Sequence, residues 1–413
     1  MKVKSILPAL AAGAVVVVAV ALPVNTAFAA EKAQQPSAKL AKPLHDAQED
    51  LKAKKWTEAI AKIKEADATA GKTAYDQHVI NEFAANAYVN TQNYAEAVKA
   101  AEAELDDGFT AEAEKPQLAR EIAELNYQLK NYDKVIEYGN RSLKFNDEER
   151  MRTLVGQAYY LKGDFKGTQK FEDETISTEI KAGQTPKKDQ LLLYYSACQK
   201  NKDDACATHA MERLVAYYPE PDYWSQLLYG VRAQINNNDA DTLQCYRLML
   251  EVDVLKTAGD YNEMAQLALE AGSPGEAATV LQKGFQKNNV FTEKLASDRN
   301  KRLLENAQKQ SASDQASLPK LQSEADASPQ GMKNVGVGIA YLGYGQYEKA
   351  VDQLGKGIEK GGLKDEAQAR LLLGIAQLKA GHKDDAVKSF KSVKGDPILE
   401  RLAGLWVLHS KQA

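Results

Sequence analysis

The amino-acid sequence predicts an all-α protein, an α-solenoid in which helix–turn–helix units stack into a right-handed superhelix. Three observations carry this. One helical unit recurs along most of the chain. Strand signals are nearly absent, because the apolar residues keep helical spacing and β-branched runs are few. Finally, 413 residues exceed what one hydrophobic core usually organises, so the chain must split into domains or stack repeats. An ordinary helical bundle would not reuse one turn pattern nine times.

The chain opens on a targeting pattern over residues 1–29. Lys2 and Lys4 give a positive start, an apolar stretch runs from Ile6 to Val24, and Ala27, Phe28 and Ala29 form the small-x-small sequence that a signal peptidase accepts. Pro8, Pro23 and that cleavage pattern argue against a retained membrane anchor. No cysteine follows the apolar stretch, which disfavours a lipid anchor. Export with removal of the segment is therefore expected, with no membrane span in the mature chain. Residues 30–43 read as a disordered leader.

The repeat follows. Each unit has an amphipathic helix carrying a small residue and then an aromatic, a short turn ending in an aromatic, and a second helix. The clearest copies are Gly156 to Phe165, Gly338 to Tyr347, Gly374 to Lys383 and Ala85 to Tyr94. A small residue follows the turn's end by three positions at Ala59, Ala97, Ala277, Ala350 and Ala386, where it lets two backbones approach. Gly163, Gly345 and Gly381 stand where the first helix must stop in a left-handed conformation. Turn ends fall at Trp56, Tyr94, Tyr132, Phe165, near Asp204, near Asn237, at Pro274, Tyr347 and Lys383. The expected order is an array over 44–308, a degenerate repeat or hinge over 309–330 turning near Ser311, a repeat pair over 331–397, and a capping helix over 398–413. That makes about ten helical pairs.

The pattern resembles the tetratricopeptide repeat family, with Pro219 at the end of a repeat and Trp224 early in the next matching the family's proline and tryptophan. The resemblance implies that the first helices line a concave face that holds a protein or peptide partner. The ligand-facing positions, carried over residue by residue, are Glu82 and Asn86, then Arg120, Glu124 and Tyr127, then Thr153, Gln157 and Tyr160, then Ser225, Tyr229 and Arg232, then Asn262 and Gln266. Tyr and Arg suit such a face because they combine contact area with directed hydrogen bonds. Towards the C-terminus the equivalents turn apolar: Val335, Ile339 and Leu342, then Leu371, Ile375 and Leu378, which either bind an apolar helix or are buried by the next repeat. Tyr88, Tyr159 and Tyr341 are assigned to packing on the other face. The clamp of cytosolic chaperone-binding members needs a basic residue four before an asparagine. Glu82 precedes Asn86, so that clamp is absent. The spacing of Cys198 and Cys206 is similar to that in the disulfide-stapled Sel-like relatives, against the alternative of two buried free thiols, with Cys245 left over as a core residue.

Other chemistry finds little support. The segment from Ala66 to Thr73 (ADATAGKT) loosely fits a phosphate loop, but no strand precedes it, and it reads as a helix tail stopped by Gly71. Gly336, Gly338 and Gly343 lack the third glycine of a dinucleotide loop, since Tyr341 stands there, and read as packing residues. Cys206 and His209, with Cys198, make at most a partial metal site. The sequence contains no HExxH, GxSxG or CxxCH. A formal charge of −4 with mixed signs disfavours nucleic acid as a partner. The expectation is thus an exported, periplasmic, non-catalytic scaffold without cofactor or metal, in envelope assembly or transport. The competing readings are a solenoid with a cryptic metal or nucleotide site acting as an enzyme or enzyme subunit, and a self-associating structural solenoid.

Overall fold

The computed structural model describes residues 34–412, so the targeting segment and the start of the leader lie outside it. Among the described residues there are twenty helices and no strand. The first fourteen form seven pairs: α1 (Ala41–Lys52) with α2 (Trp56–Asp67), α3 (Ala74–Asn90) with α4 (Tyr94–Asp106), α5 (Lys115–Gln128) with α6 (Tyr132–Leu143), and α7 (Glu149–Lys162) with α8 (Phe165–Lys181). Then come α9 (Lys188–Lys200) with α10 (Asp204–Tyr217), α11 (Pro221–Gln234) with α12 (Asp239–Glu251), and α13 (Ala258–Glu270) with α14 (Pro274–Gln286). A long single helix, α15 (Lys294–Ala327), precedes the pairs α16 (Met332–Gly343) with α17 (Tyr347–Lys360) and α18 (Glu366–Lys379) with α19 (Lys383–Lys391). The helix α20 (Pro397–Gln412) ends the described chain.

One turn device builds all nine pairs. The residue two before each second helix has positive φ: Lys54, Gln92, Lys130, Gly163, Lys202, Asn237, Gly272, Gly345 and Gly381. In eight of the nine pairs the next backbone N–H then donates to a carbonyl one turn back in the first helix, as from Asn131 to Asn126 (2.9 Å), Asp164 to Tyr159 (3.0 Å) and Gln346 to Tyr341 (2.9 Å). This left-handed C-cap satisfies carbonyls that the helix end would leave unpaired, and it reverses the chain in two residues. Second helices start at the turn ends read from the sequence, with only Asn237 displaced, to Asp239.

Inside a pair, the small residues of the pattern are fully buried at Ala59, Ala97, Ala277, Ala350 and Ala386. First-helix glycines press on second-helix side chains in a fixed register. A Cβ on Gly338 would lie 2.7 Å from Leu354 Cγ, one on Gly374 2.5 Å from Phe390 Cδ1, and one on Gly156 1.9 Å from Glu172 Oε1. Two of those three partners are apolar, as a packed interior wants. The third is a carboxyl, and burial pushes Glu172 up to about 8 despite hydrogen bonding from Gln190.

The chain divides into two compact units, one ending at Ala207 and one starting at Thr208. The boundary falls within α10. Several expectations change. The leader is ordered from its middle: Ser37 donates its N–H to Asp76 (2.7 Å), and Leu40 is fully buried. The hinge with a turn near Ser311 does not exist, because α15 runs unbroken through it. The segment contains no glycine, and none of its residues adopts positive φ, so nothing supplies the left-handed stop used at the turn inside each of the nine pairs. Pro319 is accommodated inside the helix. Gly336 is not a packing residue, since a Cβ there meets nothing within 4 Å. Tyr341 is buried, whereas Tyr88 and Tyr159 are only half-buried.

Candidate functional site

The first helices present the positions that the resemblance assigns to a binding face, and hydrogen bonds join these positions from one repeat to the next. In the first unit, Arg120 of α5 reaches Glu148 (3.1 Å), and Glu124 of α5 meets Arg150 of α7 (3.3 Å). The Tyr127 hydroxyl donates to Gln157 Oε1 (3.2 Å), and the Tyr160 hydroxyl pairs with Ser196 of α9 (2.8 Å). In the second unit, Tyr229 of α11 donates to Asp260 of α13 (2.6 Å), Arg232 pairs with Glu263, and Asn262 donates to Asn300 of α15 (2.7 Å). Each contact spans about one repeat, so neighbouring first helices are laced by a polar ladder.

Several assigned residues are thus engaged within the chain. Tyr229 is half-buried, and its phenol is raised well above the ordinary range by burial and then by the Asp260 carboxylate. Arg232 lies 5.3 Å from the Tyr246 ring centroid, and Tyr246 itself donates to Glu263 (2.8 Å). Gln266 is exposed, while Asn86 accepts from Asn90 (3.3 Å) on its own helix. Ser225 is buried and cannot face a ligand. At the C-terminal end Leu371 and Ile375 are buried, and Val335, Ile339, Leu342 and Leu378 are half-buried.

The step from α3 to α5 differs from the others. Here carboxylates meet carboxylates. Burial, then the charges of Glu82, Glu121, Asp107 and Glu114, push Glu104 up to about 8. Burial likewise raises Glu82, with His78 opposing and Glu114 adding, and raises Glu121 against a hydrogen bond from Gln117. The opposing basic groups are Arg120, whose charge favours the Glu121 carboxylate, and His78, whose Nδ1 lies 2.9 Å from Asp107, in a ring cluster with Tyr75 and Phe109. Sequence reading found Glu82 but missed Glu104 and Glu121. One available signal was the repeat period, which sets Glu121 of α5 against the first helix before it.

The remaining chemistry-bearing residues have structural settings. Lys72 pairs with Asp67 (2.8 Å) at the end of α2, and Thr73 caps α3 in a reciprocal box with Asp76. Cys198 and Cys206 are joined by a disulfide, with Cα atoms 5.4 Å apart, which leaves neither sulfur free to ligate a metal beside His209. Cys245 is buried, and burial pushes its thiol up to about 12. Among the described residues, no group of three or more His, Cys, Asp or Glu is placed to hold a metal ion, and no helix is long and apolar enough to cross a membrane.

The second unit also has contacts that no repeat period predicts. Helix α20 packs on α12, α18 and α19. Arg401 reaches Glu212 of α10 (3.1 Å), and Gln412 donates to the Val215 carbonyl (2.6 Å). Lys379 of α18 pairs with Glu251 of α12, which also lies 3.5 Å from His409. Against the upward pull of burial, hydrogen bonds from His409 and Lys379 hold Glu251 down to about 2. Trp406, 1% exposed, stacks on Phe390 with centroids 5.8 Å apart.

The tetratricopeptide repeat profile matches residues 84–150 and 338–397, one segment in each unit. With the helical pairs described above, these matches identify tetratricopeptide repeats in both segments, and such repeats are scaffolds for protein interaction. No curated protein matches the sequence. Among solved structures, the chain is similar to one of Naa15/Naa10 bound to HypK-THB, at 14% identity and TM-score 0.34, over 91% of this chain and 66% of that one. It is also similar to yeast Tom70 (9%, TM-score 0.25, 91% of this chain and 96% of that one). A tetratricopeptide repeat protein from Parabacteroides merdae matches at 12% and TM-score 0.30, over 66% of this chain and all of that one. At such TM-scores these likenesses carry no argument about function.

Proposed function

We propose that this chain is an exported, non-catalytic scaffold that docks a cationic segment of a partner protein on the first-helix face of its first unit, in envelope assembly or transport. The observation that carries the reading is the odd step of the polar ladder. Elsewhere the ladder pairs acid with base or joins hydroxyls, amides and carboxylates by hydrogen bonds, whereas at α3 and α5 Glu82, Glu104 and Glu121 crowd together, opposed by His78 and the charge of Arg120. Like charges held close cost stability, and a lysine or arginine from a partner would relieve that cost. Export and a periplasmic address rest on the pattern of residues 1–29. Mass determination of the chain from an envelope fraction tests this part, with cleavage after Ala29 expected.

The docking reading is tested with an array of cationic, neutral and acidic 15-residue peptides. Cationic peptides should be retained and should weaken with salt, and the variant carrying Glu82→Gln and Glu121→Gln should bind them about tenfold less. Equal retention of acidic peptides, or an unaffected variant, overturns it. Metal analysis and a nucleotide-binding assay address catalysis; stoichiometric metal or nucleotide would replace the scaffold with an enzyme.

A further inference from the structure

The second unit has a half-open pocket of about 610 Å³, lined by residues of both first and second helices. Its walls come from α12, α13, α14, α15, the end of α16, the start of α17, α18 and α20. An open stack of repeats would not form it. Residues of α12 face those of α18 only because the C-terminal helices return to α12, tied by Lys379 to Glu251. A volume of this size is within the range that holds small ligands.

We infer that this cavity binds a neutral, polyhydroxylated ligand, an oligosaccharide of two or three residues. Four of the five wall charges are matched in pairs: Arg247 grips Glu276 with two hydrogen bonds (2.7 and 2.6 Å), and Lys379 holds Glu251. A charged ligand would have to break one of these pairs or remain uncompensated, apart from exposed Lys283 at the wall. What stays available is neutral and polar. Gln282 and Gln308 are exposed on α14 and α15, and each offers an amide donor and acceptor suited to adjacent hydroxyls. Tyr344 and Tyr347 add aromatic rings, whose faces pack against the apolar side of a sugar. A peptide fits less well. Strand addition needs a sheet edge, which the described residues lack, and helix docking needs a continuous apolar groove, which the two ion pairs interrupt.

The test is an array of neutral oligosaccharides of two to four residues, printed beside acidic oligosaccharides and short peptides and probed with the purified chain. At least one neutral oligosaccharide should be retained, and its titration should change the tryptophan fluorescence, since Trp406 lines the cavity. Ala312 and Thr279 are exposed on the cavity wall, so Ala312→Trp and Thr279→Trp should keep the fold and fill the space from α15 and α14. Each should weaken binding by about tenfold or more, while retention of cationic peptides stays unchanged. Three results overturn the assignment: no neutral oligosaccharide retained, preference for the acidic or peptide probes, or binding untouched in both variants when circular dichroism shows them folded.

Discussion

The two units use the same repeat to different ends. In the first, the contacts named between helices join neighbours along the chain, and each lies about one repeat from its partner. In the second, the same ladder is present at Tyr229 and Arg232, but α20 also returns to helices nearly two hundred residues earlier, through Arg401 to Glu212 and Gln412 to Val215. The difference teaches that the repeat encodes contacts to the next unit and nothing beyond. Closure depends on the particular residues of the terminal helix, Trp406 above all.

The largest expected effect attacks that closure. Trp406→Ala removes a fully buried ring and should cost about 3–5 kcal/mol. Hydrogen exchange should show α12, α18, α19 and α20 losing protection while α3 to α8 keep theirs. Loss spread evenly over both units would erase the distinction between them. Next is Glu172→Gln in the first unit. A carboxyl whose folded pKa lies above its unfolded value binds its proton more tightly when folded. Its contribution is therefore full below the ordinary 4.5 and lost as pH rises through about 8. The glutamine variant should melt like the parent near pH 5 and be more stable by about 1–3 kcal/mol above pH 8. Arg152 and Glu179 face the same carboxyl and act in opposite directions, so a pH-independent difference would locate the effect elsewhere. The smallest effect concerns what the units share. Lys130→Gly in the first and Asn237→Gly in the second relieve left-handed strain at φ 57° and 48° and should each gain about 0.5–1 kcal/mol in thermal melts. A gain in one unit only would mean that the turns are not one device.

Much of the fold was legible because the turn has a local cause. A left-handed stop, a small residue three beyond the turn's end and an aromatic filler recur together, so Trp56, Tyr94, Tyr132 and Tyr347 could be placed as helix starts from the sequence. Lys54, Gln92 and Lys202 carry the same positive φ without glycine's signature, and only the register around them revealed the turns. The stretch around Ser311 misled because a composition of Ser, Ala, Gln and Asp resembles a linker, although it contains no glycine and its Pro319 is accommodated inside the helix. The binding face was legible as a face, since a period sets which residues share it. Whether Tyr160 or Tyr229 was free could not be read, because that depends on Ser196 and Asp260 standing opposite. The cavity of the second unit was invisible for the reason that makes α20 exceptional: its walls are not related by the repeat.

The docking face of the first unit is tested most directly by site-specific photo-cross-linking in envelope extract. A photo-reactive residue is placed at position 86, on the first-helix face, or at position 99, exposed on the second helix of the same pair. The account predicts a partner-sized adduct from position 86, lost in the variant carrying Glu82→Gln and Glu121→Gln, and none from position 99. Adducts from position 99 without any from position 86 would contradict it and put the interaction on the opposite helices.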